Sequence, residues 1–299
     1  MPASVTNFIT GAELDAGRLD LLLNRAAAIK SAPLSSRALE GRTVALLFEK
    51  PSTRTRTSFE AGVFELGGHP MILRGDEMQL TRGESVRDTA YILSRNAAVI
   101  GLRTGDEDQL NTLAEHATVP VVNMLSPGHH PCQALADYLT LREAFGSLGG
   151  RVVAYVGDGN NVARSLAVVG ALAGVEVRVA APDGYQLPDT DAIKTDDPAE
   201  AVEGADVVYT DVWVSMSDSD DEAAARREAL APYAITEELM AKAKPDAFAL
   251  HCLPAHPGEE ITEGVLYGDR QRIWDQAENR RHAQKALLEL LVSTHQAEG

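Results

Sequence analysis

Thr43-Val44-Ala45-Leu46-Leu47-Phe48-Glu49-Lys50-Pro51-Ser52-Thr53-Arg54-Thr55-Arg56 is an apolar run that ends in a charged, proline-containing break and resumes as a string of hydroxyls and guanidiniums. The apolar part reads as a buried strand and the hydroxyl string as the mouth of a helix. Backbone N–H groups at such a mouth face the strand's carboxyl end, with Arg54 and Arg56 beside them. No acidic side chain interrupts the stretch from Ser52 to Ser58, so it reads as a phosphate site rather than a capped helix with exposed arginines.

On either side of this stretch, short β-rich runs alternate with helical ones. Before it, Thr10-Gly11-Ala12-Glu13 reads as a capping box, with Leu14, Leu21, Leu22 and Ile29 following at helical spacing. After it come strand-like runs at Pro70 to Leu73, Ala97 to Leu102 and Pro120 to Met124. A helical pattern from Ala134 to Ala144 breaks at Gly146, Gly149 and Gly150, a plausible connection between domains. A second alternation then begins, with runs at Arg151 to Val156, Glu176 to Ala181, Asp206 to Thr210 and Ala247 to Leu250. Ala283, Leu287, Leu290 and Leu291 share a face of a terminal helix, and the acidic stretches at Asp196-Asp197 and Asp218 to Glu222 read as loops. The expected fold is α/β with two domains, each a parallel sheet with helices on both faces. The expected boundaries are 1–144, 145–275 and a terminal helix at 276–299 that packs back towards the first domain. Ligands of such sheets bind beyond the carboxyl ends of the strands, so the active site is expected in the cleft between the domains.

Composition narrows the function classes. The chain has 299 residues, of which 44% are hydrophobic, enough for two ordinary cores. No uninterrupted apolar stretch of roughly 18 residues is present, so no membrane is implied. The segment Met1 to Asn7 lacks the basic patch and apolar run of a secretory signal, and Cys132 and Cys252 cannot build a disulfide framework. A cytoplasmic setting is expected. The 44 acidic residues against 27 basic ones give a formal net charge of −17, which would repel nucleic acid. Lysine is confined to positions 30, 50, 194, 242, 244 and 285. This charge excess suggests adaptation to a high-salt cytoplasm, where screening over a few ångströms removes self-repulsion.

Two further clusters carry chemistry. His129-His130-Pro131-Cys132-Gln133 places an imidazole that can donate to an oxygen beside an amide that can both donate and accept. A His/Cys metal site is the alternative, weakened by the absence of matching ligand spacing elsewhere. Leu250-His251-Cys252-Leu253-Pro254 follows a strand, and Cys252 reads either as a nucleophile beside a histidine or as a small buried residue. Gly157-Asp158-Gly159 has incomplete spacing for a dinucleotide loop and no acidic ribose ligand downstream.

Ser-Thr-Arg-Thr-Arg, His-Pro-Cys-Gln, Asp211-Val212-Trp213-Val214-Ser215-Met216 and His-Cys-Leu-Pro, in this order and spacing, resemble the aspartate/ornithine carbamoyltransferase family, from Phe8 to about Leu291. The first two strings are common to both branches, whereas the last two resemble the ornithine branch. The resemblance implies carbamoyl phosphate bound by Ser52, Thr53, Arg54 and Thr55. Arg103, His130 and Thr55 would hold its carbonyl oxygen, Gln133 its amide, Arg280 its anionic group, and Gln79 its phosphate region from a neighbouring subunit. The backbone carbonyls of Cys252 and Leu253 would accept from the carbamoyl nitrogen. L-Ornithine would be held by Asn161, Asp211, Ser215 and Met216, with Cys252 near its δ-amine. The catalytic set implied is Cys252, Arg103, His130, Arg54 and Asp211. No metal or organic cofactor is implied, and the family assembles as trimers or multiples of them. One departure is Ser217 where the family usually has glycine, followed by the acidic run from Asp218 to Glu222.

Overall fold

The computed structural model describes residues 6–78, 83–214 and 218–298. The chain divides into two compact units, the first taking in Met1–Leu139 and Glu278–Gly299 and the second Thr140–Ala277.

In the first unit, α1 (Ala16–Ser31) precedes β1 (Thr43–Phe48), α2 (Thr53–Glu65), β2 (His69–Arg74), α3 (Val86–Ser94), β3 (Val99–Arg103), α4 (Glu107–His116), β4 (Val121–Leu125) and the start of α5 (Pro131–Phe145), which ends in the second unit. The four strands are parallel, in the order β2-β1-β3-β4. Successive residues of β1 and β3 are buried regardless of which way they point, as a sheet covered on both faces requires. Ala45, Leu47, Ile100, Leu102 and Val121 meet Ala90 and Leu93 of α3 and Leu110 and Leu113 of α4. Gly101 has no room for a side chain, since a Cβ would lie 2.9 Å from the Met124 sulfur and 3.0 Å from a Leu46 methyl.

The second unit continues with β5 (Val152–Val156), α6 (Asn161–Ala173), β6 (Glu176–Ala180), β7 (Ile193–Thr195), α7 (Pro198–Val202), β8 (Val207–Thr210), α8 (Asp220–Leu230), α9 (Glu237–Met240), β9 (Phe248–His251) and α10 (Glu263–Leu266). Its parallel sheet runs β7-β6-β5-β8-β9. The last helix, α11 (Ile273–Glu298), starts in the second unit and ends in the first. Among the described residues, no helix is long and apolar enough to cross a membrane.

Three local expectations are corrected. Glu13 accepts the backbone N–H groups of Ile9, Thr10 and Gly11, so the Thr10–Glu13 string closes a turn. Helix α1 starts later, capped by Asp15, and Leu21 lies on its exposed face. The acidic run also differs from the loop expected there, because Ser219 and Glu222 form a reciprocal capping box and Asp220 to Glu222 make the first turn of α8. Carboxylates at a helix N-terminus complement its dipole, which is why this stretch is helical despite its charge. Asp196 and Asp197 do lie in the loop expected there, and Asp197 caps the α7 that follows. The short, exposed edge strand β7 has no apolar pattern to announce it.

Candidate active site

Both sheets reverse strand order beside their first strand; the Ser52–Arg56 string sits at the first reversal, whereas His129–Gln133 follows the edge strand β4 and Cys252–Pro254 the edge strand β9. In the first unit, β1 and β3 are neighbours and Phe48 pairs with Arg103. The loop into α2 and the end of β3 therefore emerge together, as the switch-point rule expects. Ser52 caps α2 by accepting from the Thr55 N–H at 3.3 Å, and no acid lies in the first turn. Arg56 is turned away onto Glu60, 3.2 Å distant on the same helix, so Arg54 alone of the two early arginines adds its charge to the His130 environment.

Arg280 of α11 knits this half-site together. It is buried, and its two terminal nitrogens donate to the Gln133 amide oxygen at 2.7 Å and the Thr55 hydroxyl at 3.1 Å. The same guanidinium lies 3.5 Å from His130 Nε2, and Arg103 reaches the Thr55 hydroxyl at 3.5 Å. Gln133 in turn donates to Asp137 at 2.8 Å, which fixes its amide orientation. Thr55, Arg103, His130, Gln133 and Arg280 thus converge from β3, α2, the start of α5 and α11. Thr53 and Arg54 occupy the first positions of α2. Gln79 lies outside the described residues.

His130 is neutral at pH 7. Burial, then the charges of Arg280, Arg103 and Arg54, hold its imidazolium well below the ordinary range. Arg280 can only donate, so the Nε2 facing it takes the acceptor role and the ring proton sits on Nδ1. A depressed histidine has a defined effect on folding. The unfolded ring takes a proton at about pH 6.5 and the folded ring does not, so its stabilisation is complete above that pH and is lost as pH falls below it. His282 shifts in the same direction through burial. Replacing His130 by glutamine is therefore expected to reduce, without abolishing, the fall in thermal midpoint between about pH 6.5 and 5. An unchanged slope would contradict this environment. Cys132 is fully buried and its thiol is pushed up to about 12 by burial, so it is a packed, protonated group rather than a metal-binding thiolate.

In the second unit, Thr210 of β8 pairs with His251 of β9. Asp211 and Cys252 therefore leave adjacent strands side by side, next to the end of β5. Gly157 has a φ of 133°, and Gly159 approaches so closely that a Cβ would lie 2.5 Å from the Leu187 nitrogen. These glycines serve the turn and its packing, and the chain then enters α6. Asn160 caps that helix with its Oδ1, which also accepts from the Tyr155 hydroxyl at 3.2 Å, while its Nδ2 donates to Asp211 at 3.2 Å. Asn161 is the first residue of α6. Burial raises the pKa of the Asp211 carboxyl, opposed by hydrogen bonds from the Val212 N–H and Asn160. Ser215 and Met216, like Ser217, lie outside the described residues.

The His-Cys-Leu-Pro turn is held from behind. His251 is buried; its Nδ1 accepts from the Leu253 N–H at 2.8 Å and its Nε2 lies 3.1 Å from Glu260. The Leu253 donor fixes the tautomer, so Nε2 carries the proton and donates to the carboxylate. Both ring nitrogens are engaged, so His251 is not poised to take the Cys252 proton as the nucleophile reading requires. Leu253 has a φ of 63° and precedes a cis Pro254. Gln276 accepts from the His251 N–H at 3.1 Å. Glu260, Gln276, Asn160 and Tyr155 were not marked as site residues by sequence. Glu260 stands eight positions beyond Cys252 beside a second glutamate, and only its full burial distinguishes the two.

The comparisons match both units. The carbamoyl-P binding domain of aspartate/ornithine carbamoyltransferase matches residues 6–143, and the Asp/Orn binding domain matches residues 149–291. Ornithine carbamoyltransferase of Acidothermus cellulolyticus is 50% identical over 303 aligned residues, covering 96% of this chain and 97% of that one. The anabolic ornithine carbamoyltransferase of Pyrococcus furiosus is 49% identical over 271 residues, covering 86% and 85%. Among solved structures, ornithine carbamoyltransferase from Pyrococcus furiosus superposes with a TM-score of 0.92 at 43% identity, covering 98% of this chain and 99% of that one. The Thermus thermophilus enzyme gives a TM-score of 0.89 at the same identity and coverage. With both of its units and the order of its motifs accounted for in this way, the chain belongs to the aspartate/ornithine carbamoyltransferase family.

Proposed function

We propose that the protein transfers the carbamoyl group of carbamoyl phosphate to the δ-amine of L-ornithine, giving L-citrulline and phosphate, or runs the reverse reaction in arginine degradation. The observation that carries this reading is the Arg280–Thr55–Gln133–His130 cluster beside the mouth of α2. It offers cationic and neutral donors to an anion and a carbonyl oxygen, with an amide placed to read the carbamoyl nitrogen.

In this reading Ser52, Thr53, Arg54, Thr55 and Arg280 hold the phosphate, with Gln79 of a neighbouring subunit. Arg103, His130 and Thr55 face the carbonyl oxygen, and Gln133 with the Cys252 and Leu253 carbonyls face the amide. Asn161 holds the ornithine α-carboxylate, and Asp211, Ser215 and Met216 bind around its α-amino group. The δ-amine, with a solution pKa of about 10 like lysine, must first lose a proton. Cys252, assisted by Asp211, accepts or orients it. Attack on the carbamoyl carbon yields an oxyanion stabilised by Arg54, Arg103 and His130, and the C–O bond to phosphate then breaks. The amine's second proton leaves with the phosphate. Much of the acceleration comes from holding two reactants in attack geometry.

A panel of amines tests the acceptor. Ureido product should form with L-ornithine and fall away with putrescine, aspartate and N-acetylornithine. Preference for any of these over ornithine would overturn the assignment. The expected assembly is a homotrimer or a multiple of trimers in the cytoplasm, open to measurement by light scattering.

The acidic composition supports a salt requirement. At a net charge of −17 the folded chain repels itself at low ionic strength, and a Debye length of about 3 Å at 1 M salt removes that repulsion. The thermal midpoint and activity are expected to rise together as potassium chloride is raised towards molar concentration. A protein fully folded and active in dilute buffer would contradict this.

A further inference from the structure

We propose that the buried Lys285 and the half-buried Glu65 form a positioning pair that sets the register of α11 on α2 and thereby places Arg280 against Thr55, Gln133 and His130. The inference rests on the reading of that cluster as the carbamoyl phosphate half-site.

Helix α2 carries the Ser52–Thr55 mouth at one end and Glu65 as its last residue. Helix α11 meets it at both ends. Arg280 donates to Thr55 in the first turn. At the other end Lys285, fully buried, donates to Glu65 at 2.6 Å and to the Pro33 carbonyl. Arg281, one turn before Lys285 on the same helix face, adds a second cation 3.3 Å from Glu65. Between the two ends, Gly62 lets the helices approach. A Cβ there would lie 3.2 Å from the Lys285 Cγ and 3.7 Å from the Arg281 carbonyl. From a third side, Lys30 of α1 donates to Asn279 at 2.8 Å.

A buried ammonium tolerates one arrangement, because sliding or turning α11 would separate it from its carboxylate without offering it water. Well-packed apolar side chains could hold two helices together equally well. What the ion pair adds is register, and register is what Arg280 needs, since its two donors reach partners on different helices. Among the described residues, Lys285 hydrogen-bonds to Glu65 and the Pro33 carbonyl and to no proposed ligand-binding group, so it acts through Arg280.

The test is a double-mutant cycle on carbamoyl phosphate affinity in the full-length enzyme, at a salt concentration where every variant keeps its far-ultraviolet dichroism. Lys285→Met is expected to weaken carbamoyl phosphate binding on the order of tenfold, a loss typical of one displaced interaction. The KM for ornithine should stay unchanged, and Lys285→Arg should recover most of the affinity. In an Arg280→Ala background, Lys285→Met should cost nothing further. Equal losses in both backgrounds, or a folded Lys285→Met enzyme with unchanged affinity, would overturn the proposal. If Lys285→Met does not fold, Gly62→Ala presses on the same lysine stem without removing charge and enters the same cycle with the same criteria. An Arg280→Ala enzyme that binds carbamoyl phosphate normally would instead refute the half-site reading beneath it.

Discussion

Arg280→Met is expected to lower kcat/KM for carbamoyl phosphate by about a thousandfold, the upper range for removing one preorganised donor from a site of developing charge. The magnitude follows from what the guanidinium does. It is buried, it bridges Thr55 and Gln133, and it lies beside His130. Methionine conserves volume but leaves the Gln133 oxygen and the Thr55 hydroxyl each short of a charged donor, so three proposed ligand contacts loosen together. Arg280→Lys should recover only part of the loss, because an ammonium cannot serve two partners in a fixed fork. Steady-state kinetics with carbamoyl phosphate varied at saturating ornithine makes the comparison. A loss below tenfold would remove Arg280 from the centre of the site.

Cys252→Ala is the second large effect, and it falls on a different kinetic constant. Asp211 and Cys252 leave neighbouring strands side by side, and His251 is committed to Leu253 and Glu260. His251 is therefore not free to serve as base for that thiol, which speaks for a role in handling the amine proton rather than for His251-assisted covalent catalysis. Loss of such a group typically costs about a hundredfold or more in kcat. Carbamoyl phosphate affinity should change by no more than a few-fold, since the carbonyls proposed to face it belong to the backbone. Wild-type turnover by Cys252→Ala would show that the thiol has no part in the reaction.

The difference between what the sequence shows and what it hides has physical causes. Buried parallel strands such as β1 and β3 are continuous apolar runs, and each ends where the chain turns polar. The strands are local features, legible because both faces of each are covered. The start of the first helix is hidden because Glu13 satisfies turn N–H groups by the same chemistry that caps a helix. The acidic run resembles a solvated loop because it carries three carboxylates in a row, and its helical state rests on the cap that Ser219 supplies. Glu260 and Asn160 were missed for another reason. Each acts by supporting another side chain, His251 and Asp211 respectively, and such pairings depend on strand order, which spacing along the chain does not encode. The Lys285–Glu65 pair is hidden in the same way, with 220 positions between its members.

The central claim is that this chain moves a carbamoyl group from phosphate to the ornithine δ-amine. Phosphate and citrulline should be quantified from one reaction with both substrates, at the salt concentration that best supports the fold. The expected result is equimolar formation of the two products, dependent on ornithine. Phosphate released without citrulline, or no phosphate released at all, would contradict it.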